Sequence, residues 1–138
     1  MDNSEVTRIG STEKVAGTDG TWSQCTRRGN MLFISGQIAL DAAGELVGAD
    51  DFEAQAIKAL DNLKSMLEAG GASLEDLMMI NVYVTDMDNR PIFARVRDGY
   101  FRANPPASTI VEIKRLCMDE LLLEVNGIAV VWGMGSGE

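Results

Sequence analysis

Pro105–Val131, reading PPASTIVEIKRLCMDELLLEVNGIAVV, is the stretch that decides the fold. It holds two β-strand patterns joined by a short acidic turn. Along the first, Thr109, Val111 and Ile113 project to one side and Ser108, Ile110, Glu112 and Lys114 to the other, because strand side chains alternate with period 2. One face is therefore apolar and the other mixed. The second pattern, Leu122 to Val131, sets Glu124 and Asn126 among Leu123, Val125, Ile128, Ala129 and Val130. Two polar groups thus share one face of an otherwise buried strand, where each needs a partner or a purpose.

Working back from there, Leu77 to Thr85 has the β-branched and aromatic content of a central strand, entered through a capping turn at Ser73-Leu74-Glu75-Asp76. A helix is predicted from Asn89, with Pro91 in its first turn and Asn104-Pro105-Pro106 ending it. Between Asp51 and Glu68 the apolar positions Phe52, Ala56, Ile57, Leu60, Leu63, Met66 and Leu67 recur every three or four residues, which predicts an amphipathic helix. Asp50-Asp51 caps its start and Gly70-Gly71 stops it. Thr21 to Arg28 and Met31 to Ser35 read as an antiparallel pair turning at Gly29-Asn30, and Asp41 to Glu45 as a further turn. Residues 1–20 are polar and partly flexible, with one short edge strand near Glu5 to Ile9, so the ordered core is expected to begin later; 133–138 read as a flexible tail.

The expected architecture is a single α+β domain over 1–138, a mixed β-sheet with two helices packed on one face. Two helices cover only that face. Oligomerisation is the physical answer for the apolar residues on the other.

Composition limits the function. The net charge of −9 and pI near 4.4 repel phosphate backbones and anionic lipid, so neither nucleic acid nor membrane is an expected partner. No apolar run approaches the roughly 18 residues of a membrane span, and Met1-Asp2-Asn3-Ser4-Glu5 lacks the marks of a signal peptide, so a cytoplasmic location is expected. The chain has no histidine, which removes the usual acid/base group of a ribonuclease and the commonest metal ligand. Cys25 and Cys117 are too few and too far apart for a zinc site or a disulfide framework, and read as reduced thiols in strand regions. No metal and no cofactor are expected.

The order of these motifs resembles the reactive intermediate deaminase superfamily, also called Rid or YjgF and described as translation-inhibitor-like. The resemblance rests on P-A-S-T-I-V-E-I-K-R-L and L-E-V-N-G-I-A-V at the end. It also rests on Gly29-Asn30-Met31-Leu32-Phe33-Ile34-Ser35-Gly36-Gln37-Ile38, on Ala59-Leu60-Asp61-Asn62-Leu63 and on Asn81-Val82-Tyr83-Val84-Thr85-Asp86. It implies a chorismate-mutase-like fold, a trimeric barrel, and small-molecule clefts between subunits. In the resembled deaminases an arginine opening the strand after Pro-Ala holds the carboxylate of an imino or enamino acid; here that position is Ser108. The family's water-placing glutamate aligns with Asn126, its pocket tyrosine with Trp22 and a pocket asparagine with Ala94, while its serine is kept as Ser35.

Glu124 shares the face of Asn126 and joins Ser108 and Asn126 as a catalytic candidate. Ile110 and Cys117 join Trp22, Ser35 and Ala94 as ligand-binding candidates. Trp22 reads equally as filling a core gap or an interface, and Glu124 reads first as a member of a structural ion pair or a backbone contact. Arg27, Arg28 and Arg95 stay open as substitutes for the missing arginine.

Two functions compete. One is hydrolysis of an imine, enamine or related reactive C=N metabolite, though not the usual 2-aminoacrylate type; the other is non-catalytic binding of a small metabolite by the same trimer. Ribonuclease action or translation inhibition is a third, which the charge and the missing histidine disfavour.

Overall fold

A computed structural model of the chain describes residues 5–132; the tail expected at 133–138 lies outside the described residues. In chain order the elements are β1 (Val6–Ile9), β2 (Cys25–Arg28), β3 (Met31–Gln37), α1 (Phe52–Ala69), β4 (Leu77–Val84), α2 (Arg90–Phe101), β5 (Ala107–Glu112) and β6 (Leu123–Val130). They form one six-stranded sheet in the order β1-β2-β3-β6-β4-β5. This is the expected mixed sheet carrying two helices. Every pairing is antiparallel except β4 with β5.

The exception follows from α2. A parallel neighbour requires a crossover of a dozen or more residues, and α2 returns the chain to the start of β4 before β5 begins. β6 must then reverse and insert between β3 and β4. The two signature strands are consequently not neighbours, and residues 113–122 form a connection past β4 rather than a short acidic turn. Cys117 lies exposed in that connection, not in a strand.

Both ends of α1 form as its sequence dictates. Asp51 accepts from the Ala54 N–H at 3.0 Å, and beyond Gly70 the chain turns through Gly71 at φ +89°, a conformation that favours glycine. The Arg27 guanidinium donates to the Gly70 carbonyl at 2.6 Å, placing a cation at the negative end of the helix.

The inward face of α1 buries Phe52, Ala56, Leu60, Leu63, Met66 and Leu67 against Leu32, Ile34, Val125 and Ala129 of the sheet. Ile57, expected in this stripe, is 41% exposed, whereas Gln55 is fully buried. Val15 is buried as well, so the core starts earlier than the polar composition of residues 1–20 suggested. Strand β2 starts only at Cys25, which leaves Trp22 in the loop before it.

The strand pairings sort each strand into two faces. Ile80, Val82 and Val84 of β4 point to the helices with Leu123 and Val125 of β6, and their β5 partners Ser108, Ile110 and Glu112 share that side. Met79, Asn81 and Tyr83 point the other way with Ile128, Asn126 and Glu124. Gly127 has no side chain because the irregular pairing between Leu77 and Met79 brings Leu77 Cδ1 to 2.7 Å and the Met79 carbonyl to 3.0 Å of where a Cβ would stand.

Candidate small-molecule site

The face of the sheet without helices divides into two areas. Met31, Phe33, Met79, Ile128 and Val130 lie in register across β3, β6 and β4 as an apolar area, with Phe33 45% exposed. Beside it runs a polar band. Asn126 and Asn81 are cross-strand partners, the Asn81 amide donating to Asn126 Oδ1 at 3.0 Å, with Thr109 next in line; Glu124 aligns with Tyr83 and Val111.

Glu124 has no ion pair or hydrogen bond among the described residues, contrary to the structural ion pair considered for it. Its carboxylate lies against the bare backbone of Gly36, where a Cβ would collide with it. Burial raises its pKa above 4.5, so the folded chain holds the proton more tightly than the unfolded chain does. The stability this group contributes is complete below the unfolded value and is lost as pH rises through the raised folded value. Glu124→Gln should therefore gain in urea midpoint over the parent as pH rises from about 4 to about 7. An unchanged difference between the two proteins across that range would refute the assignment.

Gly36 also lines a cavity of about 110 Å³ with Trp22, Gln37 and Leu40. The Ser35 hydroxyl beside it donates to the Ser23 carbonyl at 2.6 Å, fixing the loop that carries Trp22 while leaving the hydroxyl's lone pairs able to accept. Trp22, Ser35, Glu124 and Asn126 thus belong to one region of β3, β6 and the preceding loop.

Ser108 belongs elsewhere. It lines a groove of about 140 Å³ with Arg97, Asp98 and Phe101 of α2, on the helix side of edge strand β5. Ile110 shares that side of β5 and packs on the core, and Ala94 lies one helical turn before Arg97. The expected catalytic trio of Ser108, Asn126 and Glu124 is therefore divided between opposite faces of the sheet, because Ser108 is in register with Ile80 on the helix side, whereas Asn126 and Glu124 are in register with Asn81 and Tyr83 on the other. Cys117, in the β5–β6 connection, lines neither space.

The arginines can now be sorted. Arg27 closes the end of α1, Arg95 pairs with Glu53 at 2.6 Å on the surface, and Arg28 shares its strand pairing with Met31 and Val6 at the far edge. The cation beside Ser108 is Arg97, which the sequence reading passed over. Its guanidinium carbon stands 6.0 Å from the centroid of the buried Phe93 ring, a cation–π distance, and it makes no ion pair among the described residues. The signal was present in the spacing, since i and i+3 share a helix face and Arg97 is three residues beyond Ala94. Among the described residues no cluster of three or more His, Cys, Asp or Glu is placed to hold a metal, and no helix is long and apolar enough to cross a membrane.

Comparisons with known proteins agree with this fold. The chain is 38% identical over 118 residues to a RutC family protein of Saccharolobus solfataricus, covering 86% of this chain and 93% of the relative. It is 32% identical over 123 residues to the 2-iminobutanoate/2-iminopropanoate deaminase of Salmonella typhimurium, covering 87% and 94%. Two crystal structures superpose closely. RidA from an Antarctic Psychrobacter matches with TM-score 0.82 at 30% identity, covering 91% of this chain and all of that one; the YjgF gene product of E. coli matches with 0.81 at 31%, covering 90% and 98%. The family model described as Endoribonuclease L-PSP matches residues 12–131, and by that span and those identities the chain belongs to this family, the Rid/YjgF superfamily.

Proposed function

We propose that the protein assembles as a homotrimer and hydrolyses an imine, enamine or related reactive C=N metabolite in clefts between its subunits. The observation that carries this reading is Glu124, a partly buried carboxylate without an ion pair or hydrogen bond among the described residues, packed against the backbone of Gly36, a residue that also borders a small uncharged cavity. Hydrolysis of C=N adds water to the carbon and releases the nitrogen as ammonia, so both protons of that water end on the nitrogen, one as the water attacks and the other as the carbinolamine collapses to the carbonyl. A carboxyl group with a raised pKa suits both transfers. Asn126 offers its remaining amide donors and Ser35 its lone pairs to place the water.

The division of the site supports assembly. Arg97 and Ser108 sit on one side of the sheet and Glu124 and Trp22 belong to the other region, so a second copy is needed to bring the two groups face to face. With the cation on α2 instead of at the start of β5, a carboxylate would bind in a different place from that in arginine-bearing relatives. The substrate is accordingly not of the usual 2-aminoacrylate type. Binding without catalysis is the alternative, favoured by the engagement of Asn126 with Asn81 where a glutamate would be free to act.

The test is loss of an oxidase-generated imine measured by semicarbazide competition, with a panel of amino-acid precursors. Competition by none of them would favour the binding reading. For the assembly, sedimentation at micromolar concentration should give a trimer. Phe33→Asp should weaken that trimer at least about a hundredfold by burying an unpaired charge at the apolar area. A monomeric parent protein would refute the assembly.

A further inference from the structure

The cavity bordered by Trp22 is lined by no charged side chain, and Val15, Ile38 and Leu40 make much of its wall. Three buried amides also line it, Gln24, Gln37 and Asn62, the last two only 2% and 3% exposed. The orientations of Gln37 and Asn62 are fixed by what their NH2 groups meet. Gln37 Nε2 donates to Gln24 Oε1 at 2.7 Å and to the Ser35 carbonyl at 3.1 Å; Asn62 Nδ2 donates to the Ile38 and Leu40 carbonyls at 2.9 and 3.0 Å. Backbone carbonyls can only accept, so neither amide can be turned round, and Gln24 has its own NH2 engaged by the Ala16 carbonyl at 3.1 Å.

The amide oxygens of Gln37 and Asn62 are consequently left without a donor among the described residues. Yet no wholly buried side-chain N or O there lacks a partner, so these oxygens must border open space. Asn62 also borders a solvent groove along α1, whereas Gln37 lines this cavity and not that groove. Gln37 Oε1 is thus an oriented acceptor with no donor among the described residues, on a side chain that lines an uncharged and largely apolar space. At about 30 Å³ for a water molecule, a cavity of about 110 Å³ holds the equivalent of three or four waters.

We propose that this cavity is a subsite for a short neutral group ending in a hydrogen-bond donor, an amide NH2 or a hydroxyl, with Gln37 Oε1 as its acceptor and Trp22 as one wall. This goes beyond the hydrolytic reading, resting only on its premise that the region around Gly36 takes a small molecule. A charged group is disfavoured because nothing lining the cavity would neutralise it. The subsite selects one end of a ligand by what that end can donate.

Trp22 and Trp132 are the only tryptophans, so Trp132→Phe leaves Trp22 as the sole emitter. In that background, propanamide and 2-butanone are titrated against Trp22 fluorescence. The two probes have the same number of heavy atoms and nearly the same shape, but only propanamide has N–H groups. Propanamide should bind saturably and 2-butanone about tenfold more weakly or worse. Ala16→Leu, which adds bulk from the loop at the cavity wall, should abolish the propanamide signal. Gln37→Met, with folding checked by thermal melting, should bring the two probes to similar affinity; should it unfold, Ala16→Leu still decides. Equal affinities in the unfilled protein, no saturation by either probe, or binding that survives Ala16→Leu would overturn the proposal. No imine is present in this experiment, so its failure is separate from a failure of hydrolysis.

Discussion

Gln55→Leu is expected to lower folding stability by about 3 kcal/mol or more, although leucine nearly matches glutamine in size. Gln55 is fully buried in the first turns of α1. Its Nε2 donates to the Gly48 carbonyl at 3.1 Å and the Glu120 carbonyl at 3.0 Å, while its Oε1 accepts from the Leu122 N–H at 2.9 Å. One side chain therefore ties the loop entering α1 to the connection that enters β6. Leucine would leave the Glu120 carbonyl and the Leu122 N–H unpaired, at about 1–3 kcal/mol for each group with the carbonyl at the low end of that range, while the Gly48 carbonyl keeps the Asp51 N–H at 3.0 Å. For a chain of this size the loss corresponds to a fall in melting temperature of roughly 10 °C. Gln55→Glu should be worse at neutral pH, because it keeps the acceptor for Leu122 but sets a carboxylate against two carbonyl oxygens. Urea and thermal unfolding of the three proteins check both statements. A loss below about 1 kcal/mol for the leucine variant would mean that water repairs both groups.

Gln55 also shows where a one-dimensional reading stops. Period 3.6 located α1 correctly, and Asp51 and Gly70-Gly71 fixed its ends, because capping and amphipathic spacing are local properties of the chain. Which positions on that helix are buried is decided by what faces them. Ile57 lies toward the rim and stays exposed, while Gln55 and Asn62 are drawn inside by backbone carbonyls of distant loops. The same limit applies to the strands. Alternation correctly gave Glu124 and Asn126 a common face, but the registers of β5 and β6 against β4 are long-range events, and they set Ser108 on the opposite face.

The site was legible as a set of positions through family resemblance, and only partly as chemistry. Ser108, Trp22 and Asn126 were found by motif, whereas Arg97 lies in α2, outside every motif used. A helix-face count from Ala94 would have reached it. The Gln37 acceptor was not accessible to sequence at all, since its freedom depends on three hydrogen bonds among Gln24, Gln37 and backbone carbonyls.

Imines generated from simple amino acids are expected to be hydrolysed at least tenfold to a hundredfold more slowly than by an arginine-bearing relative. A charge-assisted carboxylate contact contributes about 1.5–3 kcal/mol, and a serine hydroxyl at position 108 replaces it with at most one neutral hydrogen bond. Ser108→Arg alone should restore little, because Asn126 is neutral and already engaged by Asn81. The double variant Ser108→Arg, Asn126→Glu should exceed either single change.

The geometry sharpens this into a complementation test, since the two positions sit on opposite faces of one sheet and can meet only between copies. If the two single variants are unfolded together and reassembled into mixed trimers, about a quarter of the subunit boundaries should carry both changes in the productive orientation. The mixture should then reach about a quarter of the activity of the double variant. Separate single variants should not, and a mixture as inactive as its parts would place the site within one subunit. Arg97→Met in the unmodified protein completes the comparison. Robust deamination by that parent, lost on Arg97→Met, would show that α2 has taken over the carboxylate from β5 and would remove Ser108 as the reason for a different substrate.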